Sequence, residues 1–266
     1  MTALVLLVFA AASFVLLAVG ANLALHWTRA RPQMSGQRRI PPRLTPRAVF
    51  DEAGATVLAL FGPAAALLPP PKPLRPARPT RLALLRDPRL PANAHWLLRR
   101  RLERAGWHVT ASLPTGSPTD ANAVDRIAAA ITAAVGSGGP ITLVGVGQSG
   151  LLARQLAARH RHFPRVLTIA TPHQGTTSPA MSAAVRPPSD YLEAVAVMDE
   201  RPRAFDAIAI YSNGDGWLEP TDASYYPGAF NLEVHDVGHL SMLFSARVFH
   251  YVEENLEAPL PADLGR

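Results

Sequence analysis

The stretch from Ile141 to Arg154 reads ITLVGVGQSGLLAR and decides the fold. Its first six residues are apolar or β-branched apart from Gly145, which predicts a buried strand. From Ser149 onward the apolar side chains recur at helical spacing. Glycines at 145, 147 and 150 leave room for a strand and a helix to approach each other closely. The stretch therefore predicts a strand that turns directly into a helix.

Short apolar runs and helical periodicities alternate along the rest of the chain from Thr80, which predicts a parallel sheet covered by helices on both faces. With 48% hydrophobic and 17% charged residues, the chain can form one sizeable core. The fold class is therefore α/β, and Thr177–Arg203 is expected to form a lid or insert. The predicted strands are Arg81–Arg86, Trp107–Leu113, Pro140–Val146, Arg165–Ala170, Phe205–Tyr211 and Phe230–His235, and the predicted helices lie near Ala92–Ala105, Asp120–Val135, Ser149–Arg161 and Ser241–Leu256.

Four segments resemble, in the same order, segments of bacterial lipases and esterases of the α/β-hydrolase superfamily. They are LVGVGQSGLLAR (143–154), TIATPHQGT (168–176), IYSNGDG (210–216) and VGHLSML (237–243). The resemblance implies a compact α/β-hydrolase fold with a mostly parallel sheet, and it puts Asp215 at the position of the catalytic acid and His239 at that of the base. The residues alone are also compatible with Asp215 as a turn residue and His239 as a helix-flanking histidine.

The nucleophile position of this resemblance can be assigned in two registers. Aligned without a gap, the segment has Gly147 at the serine position, which makes it a degenerate nucleophile site. In the other register Ser149 is the nucleophile, acting with Asp215 and His239, but Leu151 then stands where close packing requires a small residue. Steric reasoning favours the first register.

The oxyanion hole that the resemblance implies also departs from the family pattern. The Ser149 register uses the backbone N–H of Gly150 and a second donor at Arg86, where the family usually has His-Gly after the first strand of the domain. Here that strand is followed by Arg86-Asp87-Pro88. Pro88 has no N–H, and two large side chains stand where a close approach of the backbone is needed. We expect the hole to be altered or blocked.

An apolar run without charges extends from Ala3 to Leu25, a length of 23 residues. A helix of that length crosses a hydrocarbon core of about 30 Å, so we expect residues 1–28 to be a transmembrane anchor. A cleaved signal peptide is the alternative. However, no Lys or Arg precedes the run, and the run is longer than the usual signal core of about 7–15 residues.

Residues 29–79 are expected to join the anchor to the domain. The apolar segment 56–68 is short for a membrane span and is interrupted by Gly62-Pro63, so we expect an interfacial or re-entrant segment. The proline-rich residues 69–79 predict a stiff, extended linker. The α/β-hydrolase domain then covers 80–258, and 259–266 form a tail. The Arg-rich juxtamembrane run contains no acidic residue and consists of Arg29, Arg31, Arg38, Arg39, Arg43 and Arg47.

The distribution of charge also predicts the orientation of the protein in the membrane and the class of its partners. All Lys and Arg near the anchor lie C-terminal to it, which places the domain on the cytoplasmic face of a single-pass membrane protein. The Arg-rich run suits anionic membrane lipids. No basic platform interleaved with aromatic residues indicates nucleic acid as a partner, and the sequence identifies no protein partner.

No cofactor or metal site is expected. The chain has no cysteine, and its histidines lack the spacing of metal ligands. The motif GVGQSG (145–150) fits the dinucleotide pattern GxGxxG only superficially, because it follows the third predicted strand and lies among lipase-like segments.

Two functions remain open on the sequence. The first is a serine carboxyl-ester hydrolase acting on an apolar acyl ester, with Ser149, Asp215 and His239 as its triad. The second is a catalytically inactive binding or scaffold protein that has lost its nucleophile, with Gly147 in the serine register and a lipid or protein ligand in the cleft.

Overall fold

The computed structural model describes residues 45–261 except 92, 111–112, 114–115, 137–138 and 200–204. The expected anchor at 1–28 and most of the Arg-rich run lie outside the described residues. Among those that are described, no helix is both long and apolar enough to cross a membrane.

A single sheet of six parallel strands forms the centre of the domain, in the order β2-β1-β3-β4-β5-β6. This confirms the predicted α/β class, and each strand falls within or one residue beyond its predicted range. In a parallel sheet all carboxyl ends lie at one edge, so the loops that follow β1, β3, β5 and β6 meet there. The strands are β1 Arg81–Leu85, β2 His108–Thr110, β3 Ile141–Val146, β4 Arg165–Ile169, β5 Asp206–Ser212 and β6 Phe230–Val234.

Helices cover both faces of this sheet. They are α1 Pro46–Leu60, α2 Gly62–Ala65, α3 Trp96–Arg104, α4 Ala121–Val135, α5 Ser149–Arg159, α6 Asp190–Asp199 and α7 Ala246–Glu257. The predicted C-terminal helix is divided, because Ser245 caps the start of α7 by accepting from the Val248 N–H at 3.4 Å. The preceding residues form a separate 3₁₀ turn, Ser241–Leu243.

Successive side chains of β1 point to opposite faces of the sheet and therefore contact two different apolar layers. Leu82 and Leu84 pack with buried residues of α3 and α7 on one face. Ala83 and Leu85 pack with α4 and α5 on the other face. Because both faces of a parallel sheet are covered, its strands are apolar at successive positions rather than at every second one.

The irregular region between β4 and β5 is a packed insert. It contains the 3₁₀ turn Ala183–Val185 and helix α6. Its buried Val185 and Tyr191 contact Leu151 at the start of α5 and Leu218 after β5. The insert expected at Thr177–Arg203 therefore packs beside the strand-to-helix turn.

Helix α1 packs on the domain, although its residues were expected to precede the domain as part of a connecting segment. Ala48, Ala55 and Ala59 are buried along its inner face. The proline-rich residues that follow α2, which were expected to form a linker, contact the domain: the Leu74 N–H donates to the Arg104 carbonyl at 2.7 Å, and the Arg78 N–H donates to the Gly106 carbonyl at 2.8 Å.

Glu52 attaches α1 to the loop that follows β6. Its buried carboxylate accepts hydrogen bonds from the Leu240 N–H at 2.8 Å, from the Ser241 N–H at 2.9 Å and from the Ser241 hydroxyl at 2.7 Å. Burial raises the pKa of this carboxyl, and the hydrogen bonds from Leu240 and Ser241 act in the opposite direction. Glu52 thus supplies partners for the backbone directly after His239.

We expect Glu52→Ala to lower the free energy of unfolding by about 2 to 5 kcal/mol, because it leaves three buried donors without a partner. Denaturant unfolding followed by circular dichroism measures the effect. Asp51→Ala is the matched control on the exposed side of α1, with an expected change within about 0.5 kcal/mol. Equal effects of the two substitutions would contradict the role given to Glu52.

Candidate active site

The strand-to-helix turn has its left-handed residue at Gly147. β3 ends at Val146, Gly147 has φ +56°, and α5 begins at Ser149 with Gln148 before it. A nucleophile elbow requires a strained residue between strand and helix, and glycine adopts this conformation most readily. The backbone therefore has the shape of an elbow whose nucleophile position is 147.

Ser149 lies within the first turn of α5 and is fully buried. Its hydroxyl donates a hydrogen bond to the Arg86 carbonyl at 2.5 Å. Since a hydroxyl has a single proton to donate, this bond commits the proton of Ser149. The structure does not bring the Ser149 hydroxyl into a hydrogen bond with His239.

The carboxylate of Asp87 fills the space beside Gly147. A Cβ atom added at Gly147 would overlap the Asp87 Oδ2 atom and lie 3.0 Å from its Cγ. The same Oδ2 accepts the Gln148 backbone N–H at 2.9 Å. In an elbow with its nucleophile at 147, this N–H is the one that would stabilise an oxyanion. In the register that puts the nucleophile at 147, the Asp87 carboxylate thus lies where that side chain would begin and accepts the N–H that an oxyanion would need.

Arg89 holds the Asp87 carboxylate in place. The Arg89 backbone N–H donates to Asp87 Oδ1 at 2.9 Å, and its side chain adds bonds of 3.2 Å from Nε to Oδ1 and 3.1 Å from Nη2 to Oδ2. Another guanidinium nitrogen donates to the Ala180 carbonyl of the insert. With the bond from Gln148, each carboxylate oxygen has two donors, so the buried charge is paired and fully hydrogen-bonded.

The residues expected to carry the other two oxyanion donors, Gly150 and Arg86, make hydrogen bonds within their own turns. The Gly150 N–H donates to the Gly147 carbonyl at 3.1 Å within the turn. The Arg86 side chain turns back onto its own loop, where it donates to the Leu90 carbonyl at 2.5 Å.

Asp215 and His239 form a close, buried pair. The His239 Nδ1–H donates to Asp215 Oδ2 at 2.7 Å, and both side chains are 1% exposed. The second carboxylate oxygen accepts the Trp217 N–H at 2.9 Å. Because a carboxylate only accepts, the proton of a neutral His239 ring lies on Nδ1. The buried Nε2 has no partner among the described residues.

Two neighbours surround this pair. The Trp217 ring stacks on His239 with centroids 4.7 Å apart and an angle of 3° between the planes, and the Arg89 guanidinium lies 5.3 Å from the Trp217 centroid. Burial lowers the pKa of His239, but the Asp215 charge and hydrogen bond outweigh it, so the pKa is raised overall; Arg89 lowers it and Glu52 raises it. The Asp215 carboxylate is therefore the main cause of the raised pKa of His239.

The order of these parts along the sheet decides the fold. The elbow follows β3, Asp215 follows β5 and His239 follows β6, all at the carboxyl edge of a parallel sheet in the order β2-β1-β3-β4-β5-β6. The chain has an α/β fold, and its parallel sheet and the order of these loops match an α/β-hydrolase. The predicted acid and base positions meet as the resemblance implied, whereas Ser149 lies in the helix.

Solved structures similar to this one include esterases. A thermophilic esterase from Thermogutta terrifontis matches over 68% of this chain and 90% of its own, with 16% identity and a TM-score of 0.44. Naproxen esterase from Bacillus subtilis covers 81% and 100%, with 10% identity and a TM-score of 0.48. A hyperthermophilic esterase from Pyrobaculum calidifontis covers 88% and 95%, with 14% identity and a TM-score of 0.46. No protein-family model and no curated protein matches the sequence.

The position of Asp87 predicts an energetic coupling with Gly147. We expect Gly147→Ala to lower the free energy of unfolding by about 2 to 4 kcal/mol, through backbone strain and overlap with the carboxylate. In an Asp87→Ala background only the strain remains, about 1 kcal/mol. A double-mutant cycle by denaturant unfolding measures the difference. Gly136→Ala, also at positive φ, is the control and is expected to be additive with Asp87→Ala; additivity at Gly147 as well would contradict the contact.

The Asp215–His239 pair predicts a dependence of stability on pH. Since the pKa of His239 is raised in the folded protein, the pair contributes stability that is present below the ordinary histidine pKa of about 6.5 and is lost as pH rises through the raised value. Asp215→Asn should lower the pKa of His239, seen in NMR titration of the ring. It should also cost more stability at pH 5.5 than at pH 8.5. A loss that is independent of pH would show that the pair is not charged in the folded protein.

Proposed function

We propose that this chain is a membrane-tethered hydrolase-fold protein that binds an apolar acyl or lipid ligand and does not hydrolyse it through a serine. One observation carries the proposal: the Asp87 carboxylate lies where the nucleophile side chain would begin and accepts the N–H of Gln148. Attack by a serine needs a hydroxyl at that place and free donors for the oxyanion. Neither is available around Gly147.

A carboxylate nucleophile is the nearest chemical alternative, since Asp87 stands where a serine oxygen would stand. An attacking oxygen needs a lone pair that faces an opening. Both oxygens of Asp87 already accept two hydrogen bonds, and the side chain is fully buried. This bonding supports a structural role for the carboxylate.

Hydrolysis remains the second candidate because of the Asp215–His239 pair. The pair keeps the 2.7 Å hydrogen bond of an orienting acid and a base, and the buried Nε2 has no partner among the described residues. A general base in this state could activate water or a serine. Under the binding proposal, the same Nε2 is a polar contact point for a ligand head group.

The membrane tether rests on the sequence. The apolar run from Ala3 to Leu25, followed by arginines without acidic residues, supports a single span with the domain on the cytoplasmic face. A bilayer would present lipids or acyl esters near the domain. This supports an apolar ligand rather than a soluble polar one.

Ester hydrolysis tests the proposal in the full-length protein with four forms: native, Ser149→Ala, Gly147→Ser, and Gly147→Ser combined with Asp87→Ala. The measurements are turnover of short and medium p-nitrophenyl esters and covalent labelling by a fluorophosphonate. We expect the first three forms to be inert, Gly147→Ser among them because its Cβ meets Asp87. The double variant should become labelled, since the nucleophile is restored and the Gln148 N–H is released.

Two outcomes would overturn the binding proposal. Turnover by the native chain that Ser149→Ala abolishes would establish a hydrolase with its nucleophile at 149. A fifth form, Asp87→Asn, tests the carboxylate: turnover by the native chain that this substitution abolishes would establish Asp87 as the nucleophile.

A further inference from the structure

Residues 53–71 contain no charged side chain, although most of them lie on the surface. Eleven large apolar side chains are exposed in the described part of the chain, and seven of them fall between Phe50 and Leu74. Single exposed apolar residues are ordinary, but seven within 25 residues of an otherwise largely uncharged segment indicate a surface that another apolar phase covers. We name this group the apolar face: Phe50, Leu58, Leu60, Phe61, Leu67, Leu68 and Leu74.

Helical spacing puts the first part of this face opposite the buried side of α1. The buried residues Ala48, Glu52, Ala55 and Ala59 recur at intervals of three and four, which is one side of a helix. Phe50 and Leu58 are eight residues apart on the outer side and are exposed. The buried residues of α1 are thus mostly small alanines, whereas its outer side carries the large apolar Phe50 and Leu58 beside the exposed ion pair of Arg47 and Asp51.

Basic and aromatic side chains border the face where it continues beyond α2. The Arg100 guanidinium donates to the Pro69 carbonyl at 2.8 Å, and the Trp96 indole N–H donates to the Leu58 carbonyl at 3.1 Å. Lys72, the only lysine of the chain, is exposed in the same region. Trp with Lys or Arg around an apolar surface is the composition found at the boundary between a bilayer and water.

We propose that the apolar face is a second membrane contact, which inserts into the surface of a leaflet that carries anionic lipids. The proposal rests on the membrane tether proposed above and adds to it a contact made by the folded domain itself. Leu67, at 87% exposed, and Phe61, at 58%, are expected to enter the acyl boundary. Lys72 and Arg100 are expected to lie among the phosphates.

The short distance along the chain between the apolar run and α1 favours a bilayer over a protein partner as the cover of the apolar face. The apolar run ends at Leu25, and α1 begins after Thr45. The twenty residues between these points span at most about 70 Å, so a membrane that holds the apolar run lies within that distance of the start of α1. Arginines between these points add attraction to anionic head groups, about 1 kcal/mol each near the surface.

Single-cysteine labelling tests this contact, and the chain is suited to it because it contains no cysteine. Phe61→Cys and Leu67→Cys carry an environment-sensitive fluorophore in the full-length protein. Val197→Cys on α6 is the matched control, because Val197 is exposed to 59% and Phe61 to 58%. The protein is mixed with vesicles of phosphatidylglycerol and phosphatidylcholine, and flotation of the vesicles reports the tether independently.

Flotation together with fluorescence distinguishes the two proposals. We expect the protein to float with the vesicles. The emission of the labels at 61 and 67 should shift to the blue and be quenched by spin-labelled lipid. The emission of the label at 197 should still be quenched by iodide in the water. Floating protein whose labels at 61 and 67 stay open to iodide would overturn the contact and leave the tether. Labels shielded from both quenchers would show that protein covers the face, which also overturns the contact. Protein that does not float would overturn both.

Discussion

The pairing of β1 beside β3 is the constraint on which the site depends. Leu85 is in register with Gly145, and the strands are parallel, so the residues two places further along, Asp87 and Gly147, leave the sheet side by side. The Asp87 side chain contacts the turn at Gly147 and Gln148. Once a carboxylate stands there, the elbow can keep its shape only with a glycine opposite, and Arg89 is needed to neutralise the charge.

Much of this arrangement can be read from the sequence. The strands and their parallel arrangement follow from apolar periodicity. The meeting of Asp215 with His239 follows from the resemblance to lipase segments, because a parallel sheet brings its carboxyl ends together. The altered hole could be expected from Arg86-Asp87-Pro88. Its detail could not, since the bonds from Gln148 and Arg89 to Asp87 depend on rotamers and on strand register rather than on residue type. Glu52 was missed because its partners lie 188 and 189 positions away.

The site is also a balance of buried charges. Asp87 pairs with Arg89, and Asp215 pairs with His239. Removing one partner of a buried pair leaves the other without compensation, which costs far more than the pair contributes. This offers a physical reason for an acid and a base to persist in a site that has no serine at the elbow, since neither can be lost without the other.

Helix α1 has a mechanical consequence. It starts one residue after Thr45 and holds the backbone after His239 through Glu52, less than two helical turns further on. Glu52 lies about 10 Å along this helix from Thr45, so one helix connects the first described residue to the loop that follows His239. A change that displaces α1 would therefore also take away the hydrogen-bond acceptor of the Leu240 and Ser241 N–H groups, the two that directly follow His239.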